Sequence, residues 1–388
     1  MAEARAQLLA LVTPLEAEVV PLRAAAGRAL AETLVARHDQ PPFSASAMDG
    51  FVVARTDVSA GDSFRVIGES AAGHPFEGPV GPGEAVRIFT GAPIPTGGQR
   101  VVIQEDVARD GDRISVKDAL ETGHHIRPAA GDFAADDRFF ADHRLAPRDI
   151  ALLAAMGHAT LPVRRKPVVA ILMTGDELRL PGEALGPGQI TASNGFGLAA
   201  MIEGAGGTAR LLPIARDTPA SLRSALSLAR DADLLITIGG ASVGDHDLGA
   251  EALIDAGTRM AFHRVAMRPG KPLMAGRIGR TTVVGLPGNP VSAMVCATIF
   301  ILPLLARYLD LKQPDPEYTL ELGTPLTANG HRQHYMRATL GPDKRVHVAE
   351  RQDSSLLSVL ATSDLLVVRP PDDGPKAIGD TVRVLPLT

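Results

Sequence analysis

The sequence predicts a multidomain α/β plus β protein: a central α/β domain with a mainly parallel sheet, an inserted β-rich domain, an elongated helical domain and a small C-terminal β-barrel-like domain. Three observations lead there. The chain has 388 residues, more than one ordinary hydrophobic core accommodates. From Lys166 to Leu311, apolar runs without alternation recur between amphipathic helical stretches, the mark of a parallel sheet covered on both faces. On either side lie blocks of short β-type runs separated by Gly, Pro and Asp turns.

In chain order, Gln7 to Ala36 places apolar residues at spacings of three and four, interrupted near Pro14 and Pro21 with a turn at Gly27. This predicts two or three helices. Residues 1–44 therefore group with 128–165, where RDIALLAAMG again has helical spacing, as a discontinuous elongated helical domain. The β-rich domain, 45–127, carries FVVA, FRVIG, AVRIFTG and RVVIQEDV. Residues 166–312 alternate strand and helix through PVVAILMT, SNGFGLAAMIEGAG, TARLLPI, TPASLRSALSLARDA, DLLITIGG, HDLGAEALIDAG, RMAFHRVAM, TTVVGLP and PVSAMVCATIFILPLLARYL. Residues 313–388 return to short strands, YTLELG, YMRATL, RVHVAE, LLVVRP and DTVRVLPL, with one helical stretch near Ser354 to Ala361.

Composition excludes several function classes. With 45% hydrophobic and 21% charged residues, 39 Gly and 30 Pro, the chain reads as globular with many defined turns. A net charge of −5 provides no global basic field for nucleic acid or an anionic membrane, so any anion site must be local. The single cysteine, Cys296, forms no internal disulfide and lies in an apolar run, as expected of a buried thiol in a reducing cytoplasm. The N-terminus lacks the basic start and unbroken apolar centre of a signal peptide. The apolar stretch from Ala293 to Ala306 is shorter than the roughly 18 residues a bilayer requires. It contains Pro303 and is expected to be a buried helix kinked there.

Three glycine-rich motifs end apolar strands, where open α/β sheets bind ligands. One is Thr174-Gly175-Asp176-Glu177. The second runs through Gly239, Gly240, Ser242 and Gly244 to the carboxylates Asp245 and Asp247. Glycines after a strand let backbone N–H groups approach an anion, and a following helix adds positive potential. A divalent cation such as Mg²⁺ between Asp247 and a phosphate would offset the repulsion of the two acids; alternatively, Asp245 caps the next helix. The third motif, Pro287-Gly288-Asn289-Pro290 with Ser292, opens the long apolar helix, with Pro290 suited to the first turn and Ser292 able to cap it or to touch a ligand.

Arg264, Arg268 and Lys271 place three cations within eight residues, around the rigid turn ending at Pro272. Such a cluster is either a solvated edge or an oxyanion clamp, and the Pro-Gly-x-Pro turn favours the clamp. Asp49, in PPFSASAMDG, and Thr90, in RIFTGAPIP, stand beside glycines in the β-rich block. No GxxxxGK[ST] occurs, which leaves a P-loop NTPase unsupported. Gly195-Phe-Gly197-Leu-Ala-Ala200 imitates a dinucleotide fingerprint, with Asp217 about twenty residues on, but it does not follow its strand directly.

In order, PPFSASAMDG, RIFTGAPIP, TGDEL, ASNG, IGGASVGDHD, MRPGKP and GLPGNPVS resemble the molybdopterin molybdenumtransferase family, which includes the gephyrin E domain, over essentially the whole chain. The resemblance implies an enzyme of molybdenum cofactor biosynthesis, with Mg²⁺ assisting transfer of molybdate to adenylylated molybdopterin and release of AMP. It also implies a homodimer whose active site lies between the α/β domain of one subunit and the β domain of the other. By motif it carries activity to Asp49, Thr90, Asp132, Glu177, Asp217, Asp247, Arg264 and Arg268. Molybdate-binding groups fall at Lys271, Pro272, Arg337 and Ser358, and cofactor-binding positions at Thr174, Gly175 and Asn194. Metal ligation falls to Asp247 with Glu177 or Asp217.

The sequence departs from the family pattern at Arg264 and Arg268, where bacterial relatives often carry lysine. Gly131 likewise stands in place of the glutamate usual before Asp132. The competing functions are molybdopterin adenylyl transfer, whose single-domain enzymes share the GGxSxGD loop, and a non-enzymatic scaffold of the gephyrin type.

Overall fold

A computed structural model describes residues 1–239, 248–312 and 317–387. Its central sheet has six strands in the order Thr208–Leu211, Val168–Met173, Leu234–Ile238, Thr281–Leu286, Met274–Ile278 and Arg259–Phe262. The first four are parallel, and Met274–Ile278 runs antiparallel to both of its neighbours. Alternate residues of one strand face opposite layers. Val169, Ile171 and Met173 pack with Leu198, Ile202, Val291 and Phe300 from helices Asn194–Gly204 and Pro290–Tyr308. Ala170 and Leu172 pack with Leu222, Ala225 and Leu253 from helices Pro219–Ser227 and Leu248–Asp255. Both faces are covered, which is why these strands read as unbroken apolar runs.

The Met274–Ile278 strand carries Gly276 and Arg277 and had no apolar signal of its own. It pairs as a hairpin with Thr281–Leu286. The run RMAFHRVAM divides between two sheets: Arg259–Phe262 edges the central one, while Met267–Arg268 joins the C-terminal one.

The Pro290–Tyr308 helix has 19 residues and a mean hydropathy of 1.8, so by length and composition it could cross a membrane. Two-thirds of that window is buried, the pattern of a core helix. Pro303 is accommodated by a π-helical stretch, Ala297–Ile301, just before it. Proline lacks an N–H and its ring crowds the carbonyl four residues back, and a wider turn relieves both.

The N-terminal third corrects the sequence-based expectation. Residues 7–36 do not form two or three helices. A single α-helix, Ala2–Leu9, is followed by strand Ala17–Pro21, a 3-10 turn at Leu22–Ala24 and strand Leu34–Val35. Leu8 and Val12 belong to the core of the α/β domain, and the Leu15 amide donates to the Tyr308 carbonyl at 2.8 Å. Strand Ala17–Pro21 pairs antiparallel with Thr160–Arg164. A separate core joins Ala25, Leu30 and Leu34 to Phe133, Leu145, Leu153 and Leu161. In that core the one α-helix is Pro147–Ala155, so this region is mixed rather than helical. Spacings of three and four were matched in a segment that Pro14 and Pro21 keep from continuing as helix.

Within 45–127, six strands form a sheet in the order Arg100–Ile103, Gly50–Val53, Glu84–Ile88, Ser63–Ser70, Arg113–Val116 and Val107–Asp110. The C-terminal sheet runs Met267–Arg268, Gln333–Leu340, Leu365–Arg369, Thr381–Pro386 and Tyr318–Glu321, with Val346–Val348 paired to Gln333–Leu340. A bridge between Leu322 and Val346 links its far ends, giving it a barrel-like closure.

Gly50 stands where the inserted sheet leaves no room: a Cβ there would lie 2.1 Å from the Val102 carbonyl oxygen. Gly50→Ala is expected to destabilise the protein by about 3 kcal/mol through overpacking. The readout is a fall in thermal midpoint. Gly204→Ala, whose new methyl meets nothing within 4 Å, is expected to leave the midpoint unchanged or raised. Equal midpoints for the two variants would contradict this account.

Candidate active site

Parallel register brings the ends of three strands level: Met173 lies opposite Ile238, and Ile238 opposite Leu286. The Thr174 amide donates to the Ile238 carbonyl at 3.0 Å, and the Gly239 amide to the Leu286 carbonyl at 3.3 Å. Gly239 has φ +93°, and a Cβ there would lie 2.8 Å from the Thr174 carbonyl oxygen. A Cβ on Gly288 would sit 3.6 Å from the Gly239 Cα. Asn194, the first residue of its helix, donates from Nδ2 to the Gly288 carbonyl at 2.7 Å. Thr174, Gly175, Asn194, Gly239, Pro287, Gly288 and Asn289 thus gather at one sheet edge. Gly240, Ser242, Gly244, Asp245 and Asp247 lie outside the described residues.

Pro290 occupies the first helical turn as expected, but Ser292 does not cap it. Ser292 is buried, and among the described residues its hydroxyl makes no hydrogen bond. The orphan Val291 amide instead donates to the Ser354 carbonyl at 3.1 Å, tying this loop to the C-terminal domain.

Carboxylates collect beside the first loop. The Gly175 amide donates to the Ala215 carbonyl at 3.1 Å, which draws the 215–217 segment alongside. A Cβ on Gly175 would meet the Glu177 carboxylate at 2.5 Å. Partial desolvation, then the charges of Asp176 and Glu177, hold the Asp217 carboxyl above its ordinary range. Arg216 donates to the Asp176 carbonyl at 2.9 Å. Among the described residues no three His, Cys, Asp or Glu side chains form a group that could hold a metal ion.

Arg264, Arg268 and Lys271 are exposed, and among the described residues none of their side chains has a hydrogen-bonded or acidic partner. Pro272 is half-buried beside them. The turn is held from beneath: Gly270 has φ +113°, and a Cβ there would lie 2.4 Å from Cys296 Sγ. Arg337 is 1% exposed. It donates from Nε to Gln352 Oε1 at 3.2 Å and from Nη1 to the Asp353 and Leu356 carbonyls at 2.9 and 3.4 Å. Those donors shape the loop leading to the exposed Ser358 on helix Leu357–Ala361.

Asp49 and Thr90 form a direct pair. The Thr90 amide and hydroxyl donate to Asp49 Oδ1 at 2.7 and 2.8 Å. These bonds, with the nearby Arg87 charge, hold the Asp49 carboxyl below its ordinary range. Asp132 is exposed, and its amide donates to the Gln40 carbonyl at 2.9 Å. Among the described residues no hydrogen bond or ion pair joins Asp49 or Thr90 to the strand-end loops.

Two features went unassigned in the sequence. Arg87 lies 5.1 Å from the Phe51 ring and 4.6 Å from the Phe89 ring and donates to the Gly50 carbonyl at 3.0 Å, bracing the Asp49 turn. Phe89 was visible as its neighbour in RIFTG, but Phe51 is brought opposite it only by strand pairing. Asp176 and Arg216 adjoin Glu177 and Asp217, and only the fold brings 176 to 216.

Family models match three consecutive stretches: the MoeA N-terminal region (domain I and II) over residues 1–157, a probable molybdopterin binding domain over 170–307, and the MoeA C-terminal region (domain IV) over 319–387. Molybdopterin molybdenumtransferase 2 of Mycobacterium tuberculosis (strain CDC 1551 / Oshkosh) is 35% identical, covering 95% of both chains. Molybdopterin molybdenumtransferase of Haemophilus influenzae is 32% identical, covering 99% of this chain and 98% of its own. Among solved structures, a molybdopterin biosynthesis moea protein from Pyrococcus horikosii superposes with a TM-score of 0.86 at 28% identity, covering 99% of this chain and 98% of that one.

Because Thr90 depresses the Asp49 pKa, their bond contributes above the ordinary carboxylate range and is lost as pH falls through the folded pKa. Thr90→Val, which removes the hydroxyl donor, is expected to move the Asp49 titration upward in carboxyl NMR. An unmoved titration would show that the hydroxyl has no hold on Asp49.

Proposed function

Because the chain belongs to the molybdopterin molybdenumtransferase family, we propose that it inserts molybdenum from molybdate into adenylylated molybdopterin, with release of AMP. It is an enzyme of molybdenum cofactor biosynthesis. The observation that carries the reading is the meeting of three glycine-bearing strand ends at one sheet edge, with cations on the neighbouring turn that have no acidic partner among the described residues.

The two halves of the site suit two anions. Backbone amides beyond a strand end approach phosphate oxygens closely and stabilise the charge that develops as an anhydride breaks. The Thr174, Gly175 and Gly239 amides are taken by the Ile238, Ala215 and Leu286 carbonyls and hold the loops level. This leaves the Gly288 and Asn289 amides, unpartnered among the described residues, to face the phosphate, with Asn194 fixing Gly288 in place. Molybdate is a dianion, for which Arg264, Arg268, Lys271 and Ser358 supply cations and a hydroxyl. Arg337 fixes the loop that presents Ser358, with Nε and Nη1 turned to protein acceptors.

Glu177 and Asp217 suit Mg²⁺, which takes one or two carboxylates plus water and substrate phosphates. Burial, then the charges of Asp176 and Glu177, raise the Asp217 pKa, and a divalent cation would offset the repulsion among these carboxylates. Asp247 of the GDHD segment is a further candidate ligand. Bound there, Mg²⁺ would supply neutralisation of phosphate charge.

Asp49 and Thr90 are assigned to the site of a second subunit, in a homodimer. Among the described residues of one chain, no hydrogen bond or ion pair joins them to the glycine loops. Phe43 and Met48, 42% and 40% exposed, flank Asp49 with apolar surface suited to a partner. A cytoplasmic location fits the lone buried thiol of Cys296, whose pKa burial pushes upward.

Purified protein given adenylylated molybdopterin, Mg²⁺ and molybdate is expected to release AMP and form the molybdenum cofactor. Synthesis of the adenylylated form from ATP, without AMP release from it, would establish adenylyl transfer instead. In the same assay Asp49→Ala and Arg268→Ala are each expected to be inactive yet folded. Mixed equally and re-equilibrated, they are expected to recover roughly a quarter of wild-type activity. Half of the dimers are then mixed, each with one intact site of two. No recovery would place Asp49 and Arg268 in the same subunit's site, and full activity of Asp49→Ala alone would remove Asp49 from catalysis.

A further inference from the structure

The C-terminal domain brings cations to the same edge as the Arg268 turn. Met267–Arg268 pairs in parallel with the start of Gln333–Leu340, placing Arg268 opposite His334. The Gln333 amide donates to the Ala266 carbonyl at 3.0 Å. Arg332, exposed just before that strand, reaches back with Nη1 to 3.5 Å from the Met267 carbonyl oxygen. Its guanidinium therefore rests on the backbone immediately preceding Arg268, although the two residues come from different domains.

The charges gathered here are not balanced from within the described chain. His334 is 7% exposed and lies cross-strand from both Arg268 and Arg369. Burial, then the charges of Arg268, Arg369, Arg337 and Arg332, push its pKa down to about 4. The ring is thus a neutral spacer between guanidiniums near neutral pH. Arg369 is answered by Asp373 and by the Thr327 and Gly374 carbonyls. Arg337 is answered by Gln352 and by backbone carbonyls. Among the described residues, Arg268 and Lys271 have no acidic partner, and Arg332 has only the Met267 carbonyl. One long bond uses one of the five donors of a guanidinium and leaves its charge uncompensated.

We propose that Arg332 is a further anion-binding residue. It joins Arg268 and Lys271 across the domain boundary to hold the doubly charged tetrahedral oxyanion that the enzyme takes as substrate. The inference rests on the molybdate role given above to Arg268 and Lys271. The short parallel ladder sets the spacing of the two arginines, and His334 separates their charges without adding one.

The test uses the full-length enzyme in the AMP-release assay, varying molybdate and adenylylated molybdopterin in turn. Arg332→Gln removes the charge and keeps a polar amide on a shorter side chain. It is expected to raise the KM for molybdate roughly tenfold, the loss of one charge-assisted contact. The kcat, the thermal midpoint and the KM for adenylylated molybdopterin should hold, and Arg332→Lys should restore most of the affinity.

An unchanged molybdate KM in Arg332→Gln, with a raised one in Lys271→Ala, would overturn the extension and leave the clamp standing. No change in either variant would overturn the clamp on which it rests. A lowered midpoint with an unmoved KM would make Arg332 a structural pin, and a rise confined to the KM for adenylylated molybdopterin would give it to the phosphate; each overturns the proposal.

Discussion

The close approach of backbone to backbone at Gly239 is the constraint from which the rest of the site follows. Parallel pairing ends strands Val168–Met173, Leu234–Ile238 and Thr281–Leu286 at one level. The loops that leave them can meet only if no side chain stands between. A Cβ on Gly239 would lie 2.8 Å from the Thr174 carbonyl oxygen, and the φ of +93° there costs glycine little. The result is a bare backbone surface on which the Gly288 and Asn289 amides stand without a partner among the described residues, as a phosphate site requires.

That edge is held in place from the opposite end of the sheet. Asp233 accepts from Arg165 Nη1 and Nη2 at 2.8 and 2.9 Å and from the Val168 amide at 2.8 Å. Its carbonyl accepts from the Tyr308 hydroxyl at 2.8 Å and the Thr282 amide at 3.0 Å. Arg165 also bonds Glu16 at 2.6 Å. Asp233, through its carboxylate and its carbonyl, thus registers three elements, the chain entering the sheet, the middle strand and the long helix. On the functional side, the Met267–Arg268 strand and the Val291 amide each bond into the C-terminal domain. The cationic turn and the third glycine loop are therefore positioned by two domains at once.

What the sequence made legible follows from which signals are local. The two-sided burial of the central strands appears as apolar runs, so the α/β elements were readable nearly to their ends. Glycine motifs after strands pointed to the sheet edge for the same reason: a strand end and its glycine are neighbours in sequence. The antiparallel strand Met274–Ile278 was not readable, because it is held by its hairpin and not by apolar character. Residues 7–36 misled, since proline breaks leave a helical spacing with no helix to carry it. Arg87, Asp176 and Arg216 act only through contacts made by pairing across loops and strands. The molybdenum chemistry came from resemblance, whereas the residues alone reached a metal-assisted phosphate and oxyanion site.

The most direct measurement is a structure of the protein with adenylylated molybdopterin and molybdate bound. The account expects phosphate oxygens within hydrogen-bond distance of backbone amides in the glycine loops meeting at Gly239 and Gly288, and molybdate against Arg268 and Lys271. Phosphates bound away from that sheet edge, for example at the small depression between Arg223 and Glu251 on the opposite helical layer, would contradict it.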